Sequence, residues 1–199
     1  IAKMLHPQVN HRWMPYQQSQ TSDNFYDLVI GNWPFSGTDK PADPRFDHLG
    51  ATVHNFFFVK ALHQTRPGGL VIGITSSKTM DAKSSLVRKY LAARGELVAA
   101  FRLPTGAFGN YAGTAVVTDI IILKKRDKTL ERDAGGEGWI NSVRDTAGRD
   151  FDINEYFVAN PQNILGELDF GHGTTFNREG MIVNRLPNYE QVLPRLFER

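Results

Sequence analysis

The sequence predicts an α/β fold: parallel strands, an antiparallel strand at the end, and helices on both faces of the sheet. Three observations predict it. Four short apolar, β-branched segments recur at residues 26–31, 70–75, 96–101 and 114–123. Helical periodicity fills the first two gaps between them, at residues 52–66 and 84–94. No helical pattern joins the third segment to the fourth, so those two are expected to pair as antiparallel neighbours.

Each element has a local reason. Ile1 to Leu5 reads as the end of a helix stopped by Pro7, and residues 10–24 are polar loop. Tyr26-Asp27-Leu28-Val29-Ile30-Gly31 is a strand that runs into Asn32-Trp33-Pro34-Phe35. Such a strand end delivers an amide and a flat ring to the carboxyl edge of a sheet, where ligands bind in open α/β folds. Ser36 to Leu49 is a long loop rich in charge, glycine and proline, of the kind that often covers a site. Val53, Phe56, Phe57 and Ala61 repeat at helical spacing, and Arg66-Pro67-Gly68-Gly69 ends that helix. A second amphipathic helix places Leu86, Tyr90 and Leu91 on one side and stops at Gly95. The third strand ends in Arg102-Leu103-Pro104. Beyond Lys124-Lys125-Arg126 the chain turns polar and glycine-rich, with a short helix expected near Ile153–Phe157 and mostly loop after it.

Composition bounds the function. A chain of 199 residues, 41% hydrophobic, can bury one real core. The net charge of +2 neither demands nor excludes a polyanion. There are no cysteines, so disulfides and thiolate metal sites are out, and a reducing cytoplasm is the default expectation. No apolar run reaches the ~20 residues of a membrane span. The chain begins at Ile1 rather than at methionine and reads as a fragment. An apolar edge strand is a liability, so further strands are expected beside residues 26–31, from a preceding segment or another chain.

With its motifs in order, the chain resembles the N6-adenine DNA methyltransferases, and more narrowly the large methylase modules often fused to helicases in bacterial, plasmid and phage proteins. Asp27 to Phe35 resembles the family's Asp/Asn-Pro-Pro-Tyr/Phe signature at a strand end. His54-Asn55-Phe56-Phe57 and Arg66-Pro67-Gly68-Gly69 look like the following helix and turn. Ile74-Thr75-Ser76-Ser77, Phe101-Arg102-Leu103-Pro104 with Phe108, and Ala112-Gly113-Thr114 with Thr118-Asp119-Ile120-Ile121 look like the later strands and loops.

The resemblance implies a partial Rossmann-like methyltransferase sheet, S-adenosylmethionine as cofactor, DNA as partner and no metal. It implies catalytic roles for Asn32, Trp33, Pro34 and Phe35, and contact with the cofactor at Gly31 and Asn32. Residues 1–126 would form the C-terminal half of a catalytic domain, and residues 127–199 a loop-rich extension serving target recognition or linkage. Two departures stand out. Trp33 replaces the first proline, which puts a bulky indole at the pocket. The family's glycine-rich cofactor loop and ribose-holding acid have no counterpart. The chain therefore reads as the target-binding half, inactive alone, with the cofactor half expected from a missing N-terminal segment or a partner chain. RNA or a protein amide is an alternative substrate, and a degenerate interaction domain an alternative class.

Other residues have plainer readings. Phe56-Phe57-Phe58 is core, and His54 a cap or helix-surface residue. Lys78, Lys83, Arg88, Lys89 and Arg94 form a solvated face, with phosphate contact the alternative. Asp119 either pairs with a buried donor or faces water. His172 has no metal-ligand spacing around it.

Overall fold

A computed structural model describes residues 1–35, 43–107, 116–130, 136–172 and 179–187. Part of the expected Ser36–Leu49 loop, Phe108, and Ala112-Gly113-Thr114 with the start of the fourth expected strand lie outside the described residues.

Four strands form the central sheet: β1 (Tyr26–Asn32), β2 (Thr65–Ser76), β3 (Gly95–Arg102) and β4 (Thr118–Lys125). Their spatial order is β1-β2-β4-β3. After a short N-terminal helix α1 (Ala2–Leu5), β1 and β2 run parallel, joined through helix α2 (Val53–Gln64). β4 runs antiparallel to both β2 and β3. The last strand in sequence is thus inserted between its predecessors. β4 lies antiparallel alongside β3.

β2 begins earlier than its hydrophobic run. Tyr26 pairs with Thr65, the register then breaks, and pairing resumes at Leu28 with Leu70. Residues 66–69 bulge out between these points, and Gly68 takes φ +74°, which favours glycine. The Arg-Pro-Gly-Gly segment therefore ends the helix and shapes the strand that follows.

Helix α2 is buried along almost its whole length, with Phe56, Phe57 and Phe58 all in the core as expected. Helix α4 (Leu86–Arg94) packs against α2 and β3, while the single turn α3 (Lys78–Asp81) lies against β2. Two expectations for α4 fail. Leu86 is exposed while Leu91 is buried, and Arg88 is buried rather than solvated. Arg88 lies on the inner side and donates to the carbonyls of Ile140 (2.7 Å), Thr79 (3.2 Å) and Ala82 (2.7 Å). A guanidinium with three carbonyl acceptors can be buried without stranding its donors.

The tail holds more structure than expected. β5 (Ser142–Arg144) pairs with β6 (Asp152–Asn154), helix α5 (Glu155–Ala159) follows, and β7 (Gly166–His172) pairs with β8 (Glu179–Arg185). One buried cluster runs from Trp33, Phe56–Phe58 and Val71 through Ile121 and Leu123 to Trp139, Phe151, Ile153 and Phe157. Packing is thus continuous across residue 126. Asn154 fastens the joint: its side chain donates to Met80 O (2.7 Å) and Trp139 O (2.9 Å) and caps α5 through Tyr156 N.

Helices α2, α3, α4 and α5 all contribute side chains to this cluster, among them Phe58, Met80, Leu91 and Phe157. The other face carries a small cluster of Phe101, Leu103 and Leu165, with Ala99, Ile120 and Ile122 against it. Leu28 and Ile30 of β1 extend that face and are 47% and 67% exposed. Among the described residues, β1 pairs only with β2.

Candidate active site

All four strands bring polar groups to one edge. Asn32 lies opposite Ile74, Ser76 opposite Thr118, and Arg102 opposite Asp119. The carboxyl ends of β1, β2 and β3 and the start of β4 therefore share that edge. Ser77 N donates to Val117 O (3.0 Å) and Leu103 N to Thr118 O (2.8 Å), which ties the loops to it.

The four residues after Gly31 separate into two groups. Asn32 and Pro34 are exposed and Phe35 is half-buried, whereas Trp33 is buried. The expectation of an indole at the pocket is wrong, because the ring turns inward between sheet and helix. It stacks on Tyr16 (centroids 6.2 Å, planes 10° apart) and meets Phe57 and Phe58 at 5.7 Å each. Trp33 N donates to Ile74 O at 2.9 Å. Proline would fix φ at this position. Here a buried indole and a backbone bond anchor the segment instead.

Two glycines make room for that ring. A Cβ on Gly31 would lie 2.2 Å from the Trp33 ring, and one on Gly73 would lie 2.1 Å from its Nε1. This bears on the expected cofactor contact at Gly31. The space its missing side chain leaves is filled by the protein's own tryptophan. Asn32 beside it is exposed; the described residues build no cradle for S-adenosylmethionine. The described residues alone do not fit the whole cofactor.

Behind the strand ends sits a buried ion cluster that sequence reasoning saw only in Asp119. Arg102 donates to both Asp119 oxygens, at 2.8 and 2.9 Å, and its Nη2 lies 2.8 Å from Asp81 Oδ2. The guanidinium also lies over the Phe157 ring at 4.2 Å. Burial works against the charge on Arg102, but Asp119 and Asp81 outweigh it and hold its pKa up. Burial, with repulsion from Asp119, pushes Asp81 up to about 6 against the pull of Arg102. A charged residue closing the apolar strand 96–101 was the available signal for Arg102; nothing local marks Asp81.

His54 is buried with its Nε2 3.0 Å from the hydroxyl of Thr52, at the start of α2, and burial lowers its pKa. His172 Nε2 lies 3.3 Å from Glu179. No cluster of potential metal ligands exists among the described residues, and no helix there is long and apolar enough to cross a membrane.

Two of the clefts among the described residues lie near these elements. One, of about 580 Å³, is lined by Gln17–Ser22 with Asp43, Arg45 and Lys60. Lys60 donates to Gln17 O at 2.8 Å and lies over the Tyr16 ring, on which Trp33 stacks. The other, of about 530 Å³, lies at the carboxyl end of β2 between Ser76–Lys83 and the tail.

Fold and edge together define the class: a mixed, Rossmann-like α/β sheet with its polar groups gathered at the carboxyl edge. No family model matches the chain. It is similar to the Defense against restriction protein B of Escherichia phage P1, with 29% identity over 129 residues, 63% of this chain and 6% of that protein. The chain thus spans a small fraction of that relative. Among solved structures it resembles the methyltransferase subunit of a type I restriction-modification system from Streptococcus thermophilus. There the identity is 17% and the TM-score 0.43, over 94% of this chain and 39% of that one. It also resembles the M protein of the type I restriction enzyme EcoKI, at 19% identity and TM-score 0.41, over 53% of this chain and 23% of that one. Both are loose likenesses of fold.

Proposed function

We propose that this chain is the target-binding part of an S-adenosylmethionine-dependent DNA methyltransferase that modifies the exocyclic amine of adenine. The observation that carries the reading is the exposed amide of Asn32 at the carboxyl end of β1, held in place by the buried indole beside it. Likeness to a phage protein named for defence against restriction fits a setting in which DNA modification matters.

The chain's own residues would act as follows. The target adenine leaves the duplex, at a cost of a few kcal/mol. Its exocyclic amine donates to Asn32 Oδ1 and to the main-chain carbonyl of Trp33. These acceptors orient the nitrogen lone pair, and positioning of this kind lowers the barrier. They also stabilise positive charge as it develops on the amine. Phe35 stacks on the base, a contact worth about 1–3 kcal/mol. Pro34 stiffens the turn between them. S-adenosylmethionine would supply the methyl group; the surface that cradles it belongs to an N-terminal half or a partner chain, seated beside β1.

The test is methyl transfer to adenine-containing DNA by the full-length protein. Asn32→Ala is expected to lower kcat at least a hundredfold while leaving the fold intact. Unchanged turnover would remove Asn32 from the chemistry. RNA and protein substrates in competition define the substrate class.

The filled space at Gly31 favours a second reading, a degenerate interaction domain. It expects DNA binding without methyl transfer by the full-length protein.

A further inference from the structure

We propose that Lys60 is a positioning residue for the methyl transfer: its ammonium clamps the turn Tyr16–Gln18 onto Trp33 and so fixes the Asn32 amide. This rests on Asn32 being the group that holds the target amine.

Lys60 lies on α2 and is only 3% exposed, in a stretch that otherwise buries Phe56–Val59, Ala61 and Leu62. A methionine of similar reach would fill the position without taking a charge out of water, which is costly unless the charge is paired. Among the described residues no carboxylate lies within ion-pair distance of it. Asp43 attracts it from further off, but that carboxylate is bound to Arg45 at 2.9 Å, and burial lowers the Lys60 pKa all the same. What the ammonium adds is therefore its bond to Gln17 O (2.8 Å) and its place 5.5 Å over the Tyr16 ring.

One helical turn on, Gln64 accepts from the Tyr16 hydroxyl at 2.7 Å. Residues four apart on a helix share a face, so α2 grips the turn Tyr16–Gln18 at two points. Ser19 donates to Tyr16 O at 2.7 Å and closes the turn. The tyrosine ring held in this way lies nearly parallel to Trp33 and packs on Phe57 at 4.9 Å. Trp33 depends on that packing, since its Nε1 has no hydrogen-bond partner among the described residues. Trp33 is joined directly to Asn32, so movement of the turn reaches the amide through one peptide unit. Misorientation of the amide lowers the rate of reaction rather than the affinity for DNA.

The experiment measures methyl transfer to an adenine-containing duplex by the full-length protein, giving kcat and the KM for DNA, with a thermal melt of each variant. It compares wild type, Lys60→Met, Lys60→Arg, Tyr16→Leu, the double variant Lys60→Met/Tyr16→Leu, and Asn32→Ala. Lys60→Met is expected to lower kcat about tenfold at unchanged KM. Its melting temperature should not fall, because a buried charge without a carboxylate partner has been removed. Lys60→Arg is expected to recover most of the loss, since the cleft of about 580 Å³ that Lys60 lines has room for a guanidinium that still reaches the carbonyl. Tyr16→Leu should show the same loss of kcat, and the double variant no more than either, as parts of one clamp do. Wild-type kcat in Lys60→Met, beside an inactive Asn32→Ala, overturns the clamp and leaves the proposed function standing. Equal loss in Lys60→Met and Lys60→Arg, with early melting, assigns Lys60 to packing and also overturns the clamp. Unchanged turnover in Asn32→Ala, or no methyl transfer by wild type, overturns both.

Discussion

Trp33 shows how one residue can take over the job of another. The segment after β1 needs rigidity if Asn32 is to present its amide in one orientation. An indole packed on Tyr16, Phe57 and Phe58 provides it through shape rather than a locked dihedral. The arrangement has its own dependency. All three nearest atoms to a Cβ on Gly31 belong to the Trp33 ring, the closest at 2.2 Å. Gly31→Ala is therefore expected to cost about 1–3 kcal/mol by overpacking. Trp33→Ala is expected to cost about 3–5 kcal/mol. In the double variant the penalty of Gly31→Ala should vanish, because the obstructing ring is gone. Denaturant unfolding of the four proteins measures the coupling, and additive penalties would mean the two residues do not touch.

The elements of the carboxyl edge are joined by the Arg102–Asp119–Asp81 cluster, which ties β3, β4 and α3. Asp81 titrates at about 6 in the folded protein, above the ordinary carboxylate value of about 3.9. The folded state thus binds the proton more tightly than the unfolded state. Stability from this group is full below about pH 4 and is lost as pH rises through about 6. Asp27, Asp43 and Asp145 are held low by Arg66, Arg45 and Arg149, so they favour the fold at higher pH and work the opposite way. Comparison with Asp81→Asn cancels their contribution. Relative to that variant, wild-type stability is expected to fall between pH 4 and 6 in urea melts. A difference that stays flat across the window would show that Asp81 is not shifted.

At the scale of the whole molecule, the sheet is covered unevenly. One face carries the large buried cluster, whereas Leu28 and Ile30 leave apolar surface exposed on β1, which among the described residues pairs only with β2. An apolar edge strand is prone to self-association. Leu28→Lys/Ile30→Lys is expected to reduce association of the isolated chain, read by light scattering, with little change in melting temperature because neither side chain is buried. A large drop in melting temperature would show that this face is already packed.

Much of this was legible beforehand. The strands at 26–31, 70–75 and 96–101 and the helix over 52–66 follow from hydrophobic period and punctuation, which are local properties of the chain. The antiparallel return of β4 followed from the missing helical link. The tail was harder to read: β7 and β8 pair through short alternations such as Leu168–Phe170, too brief to separate from loop. The position of Asn32 at a strand end was readable from the Asn-Trp-Pro-Phe pattern. The inward turn of Trp33, the burial of Arg88 and the ion pairing of Asp81 were not.

Sequence alone determined the class of fold and the strand end that presents an amide and a ring. Those depend on residues near each other in the chain. Tertiary structure alone decided where β4 lies in the sheet, that Arg88 and Arg102 are spent on buried carbonyls and carboxylates, and that the space beside Gly31 belongs to Trp33. Each of those turns on contacts between segments far apart in sequence. No local pattern encodes the neighbour that supplies a carbonyl, a carboxylate or an aromatic ring.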